Sequence, residues 1–157
     1  MKFFLLPFLL VVLLTGCIKE APTTEPVSET TFDSSLAART GADPYGMKQY
    51  VMAFLKAGPN RDQDSTTAAE LQRAHLDNIT RLAEEGKLVL AGPFMDDGEI
   101  RGIYIFDVKT IDQASKLTET DPAIKAGRLI MELHPWYGSA ALKEINSLHK
   151  KISREDI

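Results

Sequence analysis

Residues 87–106, KLVLAGPFMDDGEIRGIYIF, hold two short apolar runs on either side of a tight-turn signal. The runs Lys87-Leu-Val-Leu-Ala91 and Gly102-Ile-Tyr-Ile-Phe106 have the length and composition of strands. Asp96-Asp97-Gly98 lies between them, and Asp-Gly favours the turns that join antiparallel strands. The stretch therefore predicts a β-hairpin.

The residues before this hairpin predict a strand followed by a helix. Tyr50-Val-Met-Ala-Phe-Leu55 is an apolar run of strand length. Thr67-Ala-Ala-Glu70 has the pattern of a capping box that opens a helix, and Gly86 is placed to end it.

The residues after the hairpin predict a second helix followed by a last strand. Thr110-Ile-Asp-Gln113 is a second capping box, and Asp121-Pro122 opens a short helical turn that Gly127 closes. Leu129-Ile-Met-Glu-Leu133 is the last predicted strand, and an extra C-terminal helix is expected from Ser139 to about His149. The order β-α-β-β-α-β predicts the α+β class with a ferredoxin-like arrangement.

The strands also predict a partner. Right-handed crossovers place both main helices on one face of the sheet, so the other face should be wet and the strands should alternate. Residues 50–55, 88–91 and 103–106 are instead apolar at nearly every position. We therefore expect a homodimer packed sheet to sheet, a dimeric α+β barrel. The alternative is that the C-terminal helix folds over this face.

The N-terminus resembles a bacterial lipoprotein signal. Lys2 precedes an apolar run that is too short to span a bilayer, and Leu14-Thr15-Gly16-Cys17 matches a lipobox. We expect residues 1–16 to be cleaved and Cys17 to carry the lipid, palmitate included, that anchors the protein to a membrane. The alternative is a secreted protein with a free thiol.

The rest of the chain divides by composition. Residues 17–46 are predicted to be the lipidated cysteine and a disordered linker, rich in Pro, Ser, Thr and Glu in its first part. Residues 47–149 should form one domain, and residues 150–157 a charged tail. Ile18-Lys19 lacks the Asp that signals inner-membrane retention in some bacteria, so we expect the outer membrane.

Charge and residue counts exclude several functions. The net charge is −4, without the clustered basic face that nucleic-acid binding needs. The single cysteine excludes an internal disulfide, and the three histidines lack metal-ligand spacing, so we expect no metal site and no cofactor.

Two residues are candidates for catalysis, each with a simpler structural explanation. His75 lies on the buried stripe of the first helix, where it is either a hydrogen-bonded core residue or a general base. Asp121 is either the N-cap of a helical turn or the carboxylate that orients an imidazole. The segment Gly92-Pro93 is either the floor of a pocket or a plain strand exit. His134-Pro-Trp-Tyr-Gly138 either lines a ligand site or packs in a core or dimer contact.

These pieces together resemble the YCII-related (YciI-like) family. The resemblance is carried by Arg73-Ala-His75-Leu76, by Glu85-Gly86-Lys87-Leu88 leading to Ala91-Gly92-Pro93, and by Asp121-Pro122-Ala123 through Gly127. It implies a dimeric α+β barrel with a catalytic His75–Asp121 pair in a cleft near the dimer interface. It also implies that Gly92, Pro93 and Arg73 contact a small-molecule ligand. Ala123 stands where the family commonly has an aromatic residue.

Two functions fit the sequence. In the first, the anchored domain is a small-molecule enzyme that uses His75 and Asp121 for proton transfer or elimination. In the second, it is a non-catalytic ligand-binding or structural envelope lipoprotein, with His75 hydrogen-bonded in the core.

Overall fold

The computed structural model describes residues 31–155. The predicted signal peptide, Cys17 and the first part of the predicted linker lie outside these residues. The elements are α1 Ser34–Thr40, β1 Met47–Ala57, α2 Ser65–Glu84, β2 Leu88–Pro93, β3 Ile100–Phe106, α3 Ile111–Thr118, α4 Pro122–Lys125, β4 Leu129–Ser139, a 3₁₀ helix Ala140–Glu144 and α5 Ile145–Ile152. Within the described part, no helix has both the length and the apolar character needed to cross a membrane.

The four strands form one antiparallel sheet in the order β2-β3-β1-β4. β1 lies in the middle and pairs with β3 on one side and β4 on the other. β2 and β3 form the hairpin that the Asp-Gly turn predicted. The α+β, ferredoxin-like prediction is confirmed.

One face of the sheet packs against the helices. Alternate residues of β1 point to this side, as expected for a strand. The core there also contains side chains from the neighbouring strands and from α2 and α3; its buried members are Val51, Ala53, Leu55, Leu82, Leu88, Tyr104, Phe106 and Ala114. Leu82 is 1% exposed, and burying such a side chain stabilises the fold by about 2 kcal/mol.

The opposite face is covered at one end by the C-terminal segment. Tyr50, Val89 and Ile105 are buried there, with Leu142 of the 3₁₀ helix packed against them. The amide of Asn146 in α5 donates to the carbonyl of Leu88 at 2.8 Å and ties this segment to the edge strand. The alternative in which the C-terminal helix covers the face is therefore correct for this end. Further along, Ile130 is 47% exposed.

The linker prediction is wrong for residues 33–46. Asp33 caps α1 by accepting from the amides of Ser35 and Leu36, and Gly41 ends it in the left-handed conformation with φ of 72°. Thr40 is 3% exposed, so this short helix packs on the domain. Composition missed it because a helix of this length depends on tertiary contacts rather than on propensity.

Two other boundaries also differ from the predictions. α2 begins at Ser65, because Asp64 is the N-cap and accepts from the amide of Thr67 at 2.9 Å. Thr67 is thus the donor to the cap and not the cap itself. At the C-terminus, α5 extends to Ile152 into the predicted tail, where the basic residues of its last turn complement the helix dipole.

Candidate functional site

His75 lies on the side of α2 that meets the sheet. Three residues of this helix are buried, namely His75, Asn78 and Leu82, and their spacing of three and four places them on one face. His75 is 7% exposed, so its ring needs hydrogen-bond partners inside the protein.

Asp121 provides the first of these partners. Its Oδ2 lies 2.6 Å from Nδ1 of His75, and its Oδ1 accepts from the amide of Ala123 at 2.8 Å. Asp121 is completely buried. One carboxylate therefore caps α4 and also binds the imidazole, so its structural role and its contact with His75 coexist.

Tyr104 of β3 provides the second partner. Its hydroxyl lies 3.3 Å from Nε2 of His75, and the two rings stack with centroids 6.2 Å apart. A carboxylate only accepts hydrogen bonds, so Nδ1 of His75 is the donor, and in the neutral imidazole Nε2 is then an acceptor facing the phenol. Burial, together with the negative charge of Asp121, raises the pKa of Tyr104, so the phenol stays protonated.

The sequence reasoning missed Tyr104 as part of this site. In the sequence it is one position of the apolar run 102–106, which predicts a strand and nothing more. The alanines Ala53 and Ala91 are its cross-strand neighbours, and such small residues leave space for a large ring. That pattern of small neighbours could not be recognised before the strand register was known.

A hydrogen-bonded network on α2 holds the residue before Asp121. The side chain of Arg81 donates to Oδ1 of Asn78 at 2.7 Å and to Oγ1 of Thr120 at 2.9 Å. The hydroxyl of Thr120 in turn lies 2.9 Å from Oδ1 of Asn78. Among the described residues, Nδ2 of Asn78 is buried without a hydrogen-bond partner, which costs free energy. The network thus fixes the turn that places Asp121 against α2.

The predicted ligand residues Gly92 and Pro93 end β2, opposite Ile103 and Gly102. A Cβ on Gly92 would meet nothing within 4 Å, whereas one on Gly102 would lie 2.6 Å from the Gly92 carbonyl oxygen. Gly102 is therefore the glycine that lets β2 and β3 approach each other closely, whereas the space beside Gly92 is open.

Arg73, the third predicted ligand residue, forms an ion pair with Asp77 on the exposed side of α2, with an N–O distance of 2.9 Å. It lies two residues from His75, and positions two apart do not share a helix face. The ligand-binding roles of Gly92, Pro93 and Arg73 remain predictions.

A cavity of about 380 Å³ adjoins the pair on the helix side. Gln72, one helical turn before His75, lies in its wall, and so does Ala123, which follows Asp121 by two residues. The remaining lining residues are Arg61, Asp97, Arg101, Arg128 and Leu129. Neither His75 nor Asp121 is among the residues that line the cavity.

The aromatic segment 134–138 lies within β4 and does not follow a strand as predicted. His134 is paired with Met52 on the helix-free face, and its Nε2 donates to the carboxylate of Glu132 at 2.8 Å. Trp136 packs against Tyr50 with ring centroids 6.0 Å apart. In residues 31–155, no three His, Cys, Asp or Glu side chains are grouped as metal ligands.

The chain is similar to known proteins over its central part. The family described as the YCII-related domain matches residues 50–137. No curated protein matches the chain. A solved structure of 5-chloro-2-hydroxyhydroquinone dehydrochlorinase from Burkholderia phenoliruptrix AC1100, in complex with 2,5-dihydroxybenzoquinone, is 19% identical with a TM-score of 0.42. That similarity covers 55% of this chain and 92% of the dehydrochlorinase chain.

The matched residues make up more than half of the 157-residue chain and contain the whole hairpin, α2 and the His75–Asp121 pair. The chain belongs to the YCII-related domain family.

Proposed function

We propose that this protein is a small-molecule enzyme in which His75 accepts a proton from the substrate. The observation that carries the proposal is the buried contact of 2.6 Å between His75 and Asp121, which leaves Nε2 as an acceptor. A carboxylate in this position orients the ring and stabilises the imidazolium that forms when Nε2 takes a proton.

Tyr104 supports the same reaction. Its hydroxyl is 3.3 Å from Nε2, longer than the usual 2.5–3.0 Å of a hydroxyl hydrogen bond, and in the proposed reaction a substrate group takes its place there. The protonated phenol would then donate to the oxygen on which negative charge develops. In an elimination, Nε2 takes a proton from carbon, the C–H electrons form the new double bond, and the leaving group departs with its bonding electrons.

The experiment uses the full chain with 3-chlorocyclohexanone as probe. Removal of the C2 proton and loss of chloride from C3 give cyclohexenone, which is followed by its ultraviolet absorbance. Wild type should accelerate this reaction and His75→Gln should not, at equal thermal stability. A rate with wild type no higher than with His75→Gln, for both this probe and deuterium exchange into cyclohexanone, would reject the enzyme.

The second candidate is a non-catalytic ligand-binding or structural protein. It is favoured by the low exposure of His75, 7%, and by the presence of a partner for each ring nitrogen. Under this candidate, His75→Gln lowers stability and changes no rate.

Two further parts of the proposal concern the surroundings of the domain. We propose that lipid on Cys17 anchors the protein at the bacterial outer membrane, which predicts that Cys17→Ser moves it from the membrane to the soluble fraction.

We also propose that a second copy covers the rest of the helix-free face, where Phe54 is half-buried and Ile130 is exposed. Phe54→Glu should then turn a dimer into a monomer in light scattering, whereas a monomeric wild type would refute the dimer.

A further inference from the structure

The cavity beside the pair has an unusual concentration of positive charge for an acidic protein. Arg61, Arg101 and Arg128 all line it, against one acidic residue, Asp97. Within residues 31–155, the ion pairs leave two of these arginines without a carboxylate. Arg61 donates to the backbone carbonyl of Arg128 at 3.4 Å, and Arg128 donates to the side-chain amide oxygen of Gln63 at 2.8 Å.

The third arginine is only loosely neutralised. Arg101 lies 3.8 Å from Asp97, whose side chain is fully exposed. A pair at this distance in solvent contributes little and leaves the guanidinium able to bind another anion. Leu129 and Ala123 add an apolar surface to the same cavity, and Gln72 adds an amide.

We propose that this cavity binds the carboxylate of a small organic anion, with the apolar body of the ligand against Leu129 and Ala123. Guanidinium groups match carboxylates through paired hydrogen bonds, and a volume of about 380 Å³ suits a ligand of one ring. The proposal goes beyond the proposed function and does not depend on it, because it stands on the arginines and the cavity alone.

The test compares benzoate with benzamide, its neutral analogue, by calorimetric titration of the full chain. Benzoate should bind about tenfold more tightly or better, since hydrogen bonds to a charged group are worth more than neutral ones. Added salt should reduce this preference by screening. Inorganic phosphate should compete weakly, because it leaves the apolar wall uncovered.

The Arg61→Gln, Arg128→Gln double variant should lose the preference for benzoate. Arg39→Gln is the matched control, because Arg39 pairs with Glu144 away from the cavity and should keep it. Arg61→Gln alone, on an exposed loop, tests the same point if the double variant unfolds. Equal binding of benzoate and benzamide, no benzoate binding at millimolar concentration, phosphate competing as well as benzoate, or a preference that the variants retain would each overturn the anion site.

The two proposals fail in different ways. His75→Gln should leave the benzoate preference intact, because His75 does not line the cavity. If His75→Gln loses the elimination rate but binds benzoate normally, the loss reflects the catalytic role of the His75–Asp121 pair and leaves the anion site unaffected. A His75-dependent rate on the neutral probe without a benzoate preference would reject only the anion site.

Discussion

Nδ1 of His75 and Oδ2 of Asp121 lie 2.6 Å apart, although 46 residues separate them in the chain. The same carboxylate accepts from the amide of Ala123 through its other oxygen. Asp121 is therefore held from the backbone side by α4 and presents its second oxygen to the imidazole. Because each oxygen has its own partner, substitutions can separate the capping of α4 from the contact with His75.

Asp121→Asn should keep the cap and lose the charge. The elimination rate should fall about 100-fold, because the imidazolium loses its anionic partner, while helix capping persists. Asp121→Ala should lose the rate and, in addition, about 1 kcal/mol of capping free energy. Denaturant unfolding and the rate assay measure both effects; equal stability of the two variants would contradict the capping role.

Tyr104→Phe should lower the rate about 100-fold, because one donor to the developing negative charge is lost. The free energy of unfolding should change by only about 1 kcal/mol, since one hydrogen bond is removed. Tyr50→Phe is the matched control. Tyr50 is also buried, its pKa is raised to about 12 by burial, and its hydroxyl lies 3.2 Å from the carbonyl oxygen of Ser139. An equal loss of rate in both variants would point to a general packing defect.

Thr120→Val should loosen the turn before Asp121. The hydroxyl that links Arg81 and Asn78 is removed, and we expect a loss of about 1 kcal/mol in stability together with a lower rate. Thr80→Val, which removes an exposed hydroxyl bonded to the backbone of the same helix, should leave the rate unchanged. A normal rate in Thr120→Val would show that the network does not position Asp121.

Asp107 predicts how stability depends on pH. Burial alone would raise the pKa of Asp107, but hydrogen bonds from Lys143 and Lys48 outweigh burial and hold this pKa below its ordinary value. The contribution of Asp107 is then present above the unfolded pKa of about 3.9, and it is lost as the pH falls through the lower pKa of the folded protein. The expected size is about 1 kcal/mol.

Thermal melts of wild type and Asp107→Asn between neutral pH and pH 3 test this. The difference in melting temperature between the two proteins should shrink in the acid part of the range, because wild-type Asp107 becomes protonated there. Asp62→Asn, on an exposed loop, is the control. A difference that stays constant down to pH 3 would contradict the ion-pair explanation.

Local signals in the sequence were enough for much of the fold. Thr110 forms the predicted capping box with Gln113, and Asp121 caps the turn that Pro122 begins. Such signals act through backbone hydrogen bonds within three or four residues, so they hold in any tertiary context. They were less reliable at the start of α2, where Asp64 and not Thr67 is the cap.

By itself, the sequence determined the order of strands and helices, the face of α2 that carries His75, and the family. Only the tertiary structure decided that His75 meets Asp121, that Tyr104 faces the same ring, and that three arginines share one cavity. The reason is physical. Periodicity specifies which side of an element is buried, whereas the partner of a buried side chain depends on strand register and on how helices pack over the sheet.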